Sequence, residues 1–177
     1  MNIVPILGPA SVVELLWGHV QQHERATALL HMPLQLKRMG LSDTSADRRK
    51  ALESFIAECS AKEGFRHIVI AGFPADVEDA RWLLQSFPSV VSFELKADMA
   101  AIQRHICLNG AERAATQNEL AALEGVLVEM RSVFASNPHF LIHGIRAMRE
   151  QSEFVVNRLR RPHDYARGAH AHLPAES

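Results

Sequence analysis

The sequence predicts a three-layer α/β fold in which helices cover both faces of a five-stranded parallel sheet. The first observation is the stretch RHIVIAGFPADVEDARW at positions 66–82. Its apolar, β-branched run 67–71 is typical of a strand buried on both faces. A Gly-Phe-Pro turn follows, and Asp76 then has the position and chemistry of a helix N-cap. The second observation is the alternation of strand-like and helix-like segments along the chain, which is the pattern of parallel sheets with right-handed crossovers.

The strands are predicted from short apolar runs bounded by turn residues. They lie at Asn2–Leu7, Thr27–His31, His67–Ala71, Ser89–Leu95 and Phe140–Ile145.

Helices are predicted where apolar residues repeat at three- and four-residue spacing between capping residues. Ser11 with Glu14, and Thr116 with Glu119, form capping-box patterns, and Gly40 suits a helix C-cap. The charged run 47–50 is expected to face solvent, because the apolar residues of its helix lie on another stripe. The predicted helices are Ser11–Glu24, Pro33–Leu41, Asp43–Lys62, Asp76–Phe87, Asp98–Ile106, Thr116–Ser136 and Glu150–Arg161.

Composition limits the classes of partner. The chain has 177 residues, of which 47% are hydrophobic and 22% charged, and its net charge is −1. These values predict one domain over residues 1–161, followed by a polar tail at 162–177. Without a basic excess, neither nucleic acid nor an anionic membrane is an expected partner. Two isolated cysteines, the absence of an apolar run of roughly 18 residues and an N-terminus unlike a targeting signal favour the cytoplasm.

The order of these parts resembles the adenylate kinase and nucleoside monophosphate kinase family. The stretch IVIAGFPADVEDARWL is similar to the family's strand-turn-helix with its Gly-Phe-Pro-Arg signature. FLIHGI followed by EQSEFVVNRL is similar to the closing strand and helix, and the helix 116–136 is similar to the one that returns from the lid. The resemblance implies the strand order 2-3-1-4-5, a phosphate-binding loop after the first strand, a monophosphate flap and a lid. The segment 108–115 is so short that the lid is expected to be reduced or absent.

The residues expected to hold phosphate depart from the family pattern. The run after the first strand is GPASVVE, and aligning Gly8 with the first family glycine places Glu14 where the loop lysine belongs. A carboxylate there repels phosphates. Val12 and Val13 carry bulk where glycines would let the backbone wrap an anion. An ordinary helix cap at Ser11 therefore explains this stretch better than a phosphate loop does.

Two further family groups are replaced by alanine. Ala75 stands in place of the arginine of the Gly-Phe-Pro-Arg signature, and Ala71 in place of the acidic residue that organises magnesium. Phosphoryl transfer depends on positioned cations and magnesium. No catalytic residue and no cofactor is therefore predicted.

Some arginine and lysine residues do lie at or near positions where the family has cationic residues. Arg104 matches an arginine at the end of the helix before the lid, and Arg113 is the one candidate in the short lid. Lys37 or Arg38 could replace the arginine of the monophosphate flap. Arg131 lies about two turns beyond the place of the family's catalytic arginine.

Other site chemistries have weaker support. His19 and His23 have helical metal-ligand spacing, but no cysteine or carboxylate cluster completes a set of four ligands. No Ser-His-Asp order with a nucleophile elbow is present. Neither a metal site nor a hydrolase site is predicted.

Three hypotheses follow. The first is a non-catalytic, adenylate-kinase-like scaffold in a larger protein assembly, with other proteins as partners and weak or absent nucleotide binding. Family analogy suggests a ciliary or flagellar axoneme as its cytoskeletal setting. The alternative is a divergent nucleoside monophosphate kinase or nucleotide-binding protein, whose rearranged anion site would use Gly8, Gly72, Arg104 and Arg113. A third hypothesis is an unrelated domain of flavodoxin type, which would lack the 2-3-1-4-5 strand order.

Overall fold

Five parallel strands form the central sheet in the computed structural model, which describes residues 1–62, 64–96, 117–143 and 148–161. The strands are β1 (Asn2–Leu7), β2 (Thr27–His31), β3 (His67–Ala71), β4 (Ser92–Lys96) and β5 (His139–His143). Their order is β2-β3-β1-β4-β5, and all pairings are parallel. The predicted fold class and strand order are confirmed, and the flavodoxin-type hypothesis is wrong because that fold has a different order.

Six helices are present in the described ranges. They are α1 (Ala10–His23), α2 (Met32–Met39), α3 (Ser45–Ser60), α4 (Val77–Ser86), α5 (Gln117–Phe134) and α6 (Met148–Arg160). The predicted caps at Asp76 and Gly40 are confirmed: Asp76 Oδ1 accepts a hydrogen bond of 2.8 Å from the Asp79 backbone N–H, and Gly40 has φ 65°. The predicted helix 98–106, the short lid 108–115, the cap at Thr116 and the tail 162–177 lie outside the described residues. Among the described helices, none combines the length and apolarity needed to cross a bilayer.

Alternating residues of the central strands build two separate cores. On β3, Ile68 and Ile70 pack with residues of α2, α3, α4 and α5, whereas Val69 packs with α1 and α6. On β1, Ile3 and Val4 divide in the same way. Successive strand side chains point to opposite faces, so a strand covered by helices on both sides must be apolar throughout. This alternation produces the three layers.

The prediction that the charged run 47–50 faces solvent is wrong for Arg48. Its side chain lies between the first turns of α3 and α4 and is 7% exposed. Nε donates to Asp79 Oδ2 at 2.7 Å, while Nη2 donates to Asp76 Oδ2 and Nη1 to Asp43 Oδ1, both at 2.9 Å. Burial opposes the charge, but the hydrogen bonds to Asp43 and Asp79 outweigh it and raise the pKa of Arg48. The buried Asp79 carboxylate explains why an arginine is turned inward here.

Replacing Arg48 by methionine should therefore be costly. Arg48→Met leaves the fully buried Asp79 carboxylate without its main partner, a loss typically worth about 3–5 kcal/mol of unfolding free energy. Urea denaturation monitored by circular dichroism measures it. Arg38→Met is the control, because Arg38 pairs with Glu58 at the surface and such pairs contribute about 0–1 kcal/mol. Equal, small losses in both variants would contradict a structural role for the Arg48 network.

Candidate functional site

A cavity of about 320 Å³ lies at the carboxyl ends of β1 and β3, the edge where parallel α/β sheets usually bind ligands. It lies between the β1–α1 connection, the β3–α4 turn and one side of α5. Gly8 and Gly72, the two glycines predicted to belong to a site, both line it. The lining residues are Ile6, Leu7, Gly8, Gly72, Phe73, Pro74, Ala75, Val126, Leu127 and Met130.

The connection from β1 to α1 consists of two residues, Gly8 and Pro9. Pro9 is the N-cap of α1, with φ −59°, and no side chain caps the helix there. The Pro9 carbonyl accepts hydrogen bonds from the N–H groups of Val12 at 3.0 Å and Val13 at 3.1 Å. The predicted capping box at Ser11 is therefore wrong: the N-cap is Pro9, two residues before Ser11, because the fixed φ of proline suits the start of a helix, and Ser11 lies inside α1.

This geometry differs from a phosphate loop in a decisive way. Such a loop is a run of several residues whose N–H groups converge on the anion. Here the helix begins immediately after two residues, and one of them, Pro9, has no N–H group. Val12 and Val13 are buried in the core rather than placed beside a ligand. Glu14 has a half-exposed side chain, and its Oε2 lies 3.9 Å from Nε2 of His31 at the end of β2.

The two glycines are explained by close packing. Gly72 has φ 78°, and a Cβ on it would lie 3.1 Å from the Cδ of Pro33 at the start of α2. A Cβ on Gly8 would lie 3.1 Å from the Cβ of Leu95 on β4. A side chain at either position would require neighbouring atoms to shift by a few tenths of an ångström, so close packing accounts for both glycines without any bound anion.

The described cations near this edge are engaged with carboxylates or exposed. Arg38 Nη2 donates to Glu58 Oε1 at 2.8 Å, and Lys37 is exposed on α2. Arg104 and Arg113, the two arginines predicted for an anion site, lie outside the described residues, so their role stays a prediction.

Arg131 of α5 is bound to a buried carboxylate of β4. Its Nε donates to Glu94 Oε2 at 2.9 Å, and His139 Nε2 lies 3.3 Å from the same oxygen. The Glu94 side chain is fully buried, which favours the neutral acid, but hydrogen bonds from His139 and Arg131 outweigh burial and lower its pKa from 4.5 to about 2. The hydrogen bond to Glu94 in turn raises the pKa of Arg131. The ion pair between Arg131 and Glu94 joins α5 to the sheet. Arg131 is the arginine that lies nearest to the position of the family's catalytic arginine, and it is bound to this carboxylate.

Within the described ranges, no three histidine, cysteine, aspartate or glutamate side chains are grouped so that they could hold a metal ion.

The architecture is similar to that of several solved structures. No protein-family profile and no curated protein sequence matches the chain. Solved structures do match: a gluconokinase from Sinorhizobium meliloti has 13% sequence identity and a TM-score of 0.59, covering 92% of this chain and 93% of that one. A shikimate kinase from Acinetobacter baumannii in complex with shikimate has 12% identity and a TM-score of 0.55, covering 92% and 95%. A shikimate kinase from Aquifex aeolicus has 15% identity and a TM-score of 0.51, covering 90% and 96%.

The chain has the fold of these gluconokinase and shikimate kinase structures. The sequence predicted a kinase-like fold, and that part of the resemblance is confirmed. At these identities the likeness concerns the fold alone.

Substitution of Gly72 tests whether packing requires this glycine. Gly72→Ala should destabilise the protein by roughly 1–2 kcal/mol, because a Cβ is disfavoured at positive φ and would also press on Pro33. Gly18→Ala, in the interior of α1 with no neighbouring atom within 4 Å, should instead stabilise it by roughly 0.5–1 kcal/mol. Thermal unfolding of both variants measures the two effects. A neutral Gly72→Ala variant would show that the turn can relax.

The ion pair between Glu94 and Arg131 predicts that the free energy of unfolding decreases in acid. In the unfolded chain the carboxyl group takes up a proton near pH 4.5, whereas the folded protein keeps it ionised down to about pH 2. The unfolded state therefore binds more protons in this interval, and up to roughly 3 kcal/mol of unfolding free energy is lost as the pH falls through it. Glu94→Gln should be less stable at neutral pH and should depend less on pH between 4.5 and 2.

Urea denaturation at a series of pH values measures this dependence. Glu129→Gln, at an exposed position of α5, is the control and should follow the wild-type curve. Parallel curves for wild type and Glu94→Gln would contradict the assignment of this dependence to Glu94.

Proposed function

We propose that this protein is a non-catalytic kinase-fold domain, a degenerate relative of the adenylate kinases that binds other proteins instead of transferring phosphate. The observation that carries the proposal is the two-residue connection between β1 and α1. It provides neither the length nor the N–H groups of a phosphate loop, and the position aligned with the loop lysine is Glu14.

The chemistry of phosphoryl transfer explains why this loss is decisive. The transition state spreads negative charge over the equatorial oxygens, and enzymes stabilise it almost entirely by positioned cations, N–H groups and magnesium. Removing one such group typically costs about 3–4 kcal/mol of transition-state stabilisation. Here the loop, its lysine and the signature arginine are replaced together, by Pro9, Glu14 and Ala75.

The domain remains a well-packed block, which supports a role in assembly. Its two cores and the Arg48 network hold the elements together without a ligand. We propose that its exposed helical faces contact the other proteins of a complex. The axonemal setting suggested by the adenylate kinase resemblance stays a prediction.

The alternative is a divergent kinase, and one observation favours it. Three solved structures that match over more than nine-tenths of both chains, one gluconokinase and two shikimate kinases, are described as kinases. In that case Arg104 and Arg113 would supply the missing cations around Gly8 and Gly72.

Calorimetric titration with ATP and with AMP, in the presence of magnesium, separates the two hypotheses. No heat and no thermal shift at millimolar nucleotide is the expected result, because no phosphate loop is formed. A nucleoside monophosphate kinase with an intact loop, titrated in parallel, shows that the assay detects binding. Saturable binding that is abolished in Arg104→Ala would instead establish the rearranged anion site.

A stoichiometric pull-down with the full chain tests the scaffold role itself. A defined partner retained in fixed proportion is expected. A chain that remains monomeric and without a stable partner would count against assembly as its function.

A further inference from the structure

We propose that the cavity at the carboxyl ends of β1 and β3 binds a small, uncharged and largely apolar molecule, about the size of two fused rings. This inference rests on the proposed function, because a cavity freed from phosphate chemistry can take a ligand of a different class.

The lining chemistry selects an uncharged ligand. None of the ten lining residues in the described part of the chain carries a charge, and most are aliphatic or aromatic. Transferring an ionised group to such surroundings without a partner is strongly unfavourable, whereas burying apolar surface gains about 25 cal/mol per Å². The cavity therefore discriminates against phosphorylated compounds and in favour of their neutral ring systems.

Two charged residues adjacent to the lining, Arg131 and Asp76, are engaged with other groups of the protein. Arg131 follows the lining residue Met130 and is bound to Glu94. Asp76 follows the lining residue Ala75, and its two oxygens accept from Arg48 and from the Asp79 backbone. Using either charge for a ligand would first require breaking a partly buried ion pair or a helix cap.

The volume sets the size of the ligand. An engineered apolar cavity of about 150 Å³ binds benzene. The cavity here has about 320 Å³, roughly twice that volume, which suits a two-ring compound.

The lining is partly rigid and partly adaptable, as ligand sites commonly are. Phe73 is buried, and its ring meets Trp82 edge to face with centroids 6.2 Å apart. Trp82 is held in turn by Phe87 at 5.8 Å. On the opposite side Met130 contributes a flexible thioether chain that can adjust to the shape of a ring.

Titration with 2-naphthol and with 2-naphthyl phosphate tests the proposal, because the two probes share a ring system and differ in charge. Calorimetry measures affinity, and methyl NMR shifts locate the probe. We expect saturable binding of 2-naphthol, with shifts at Val126, Leu127 and Met130 and none at Val20 in the other core. The phosphate should bind at least about tenfold more weakly, the scale on which an apolar pocket discriminates between poorly matched groups.

Two variants of α5 form a matched pair. Val126→Phe fills the cavity and should weaken 2-naphthol binding by about tenfold or more. Val128→Phe makes the same change at an exposed position two residues away and should leave binding unchanged. Ala75→Phe, at an exposed position of the lining, provides a second filling variant that does not depend on core packing. Melting curves confirm that each variant is folded.

Each outcome has a distinct meaning. Absence of 2-naphthol binding, or binding unaffected by both filling variants, would overturn the cavity proposal and leave the non-catalytic domain standing. Tighter binding of the phosphate, with shifts at the same methyl groups, would overturn both, because it would require an anion site at this edge.

Discussion

The two central strands have no face toward solvent, and the rest of the structure depends on that constraint. Every residue of β3 is buried, and alternate residues of β1 and β3 enter different cores. Helices must therefore cover both sides of the sheet. On one side α1 begins directly after β1 and places Val12 and Val13 against the strands. The helix that completes this core leaves only Gly8 and Pro9 between itself and β1.

Strand position and order could be predicted because both follow from local patterns and one family resemblance. Buried parallel strands appear as β-branched runs, and the strands β2 and β3 begin and end at the predicted residues. Even Pro5, which lacks an N–H group, pairs in register with Ile70 in the centre of the sheet. The ends of helices and strands were predicted less accurately where a proline or a turn residue sets the boundary, as at the start of α1.

The inward orientation of the Arg48 side chain and the wall that α5 adds to the cavity could not be predicted, because both depend on contacts between elements that are separate in sequence. The acidic partners of Arg48 lie 5, 28 and 31 positions away, and helical spacing alone placed it outside. Gly8 and Gly72 were assigned to a nucleotide site through the kinase resemblance; both line the cavity, and their role in binding stays a prediction. The opposite wall of the cavity belongs to α5, and nothing in the local sequence indicates that this helix meets the β1–α1 connection.

The length of that connection also limits how the domain can change. Point substitutions such as Glu14→Lys would alter the charge at this edge without creating a loop, because two residues cannot encircle an anion. Only an insertion of several residues between Leu7 and Ala10 would give this connection the length of a phosphate loop. The character of this connection is therefore set by its length, which the substitution of single side chains leaves unchanged.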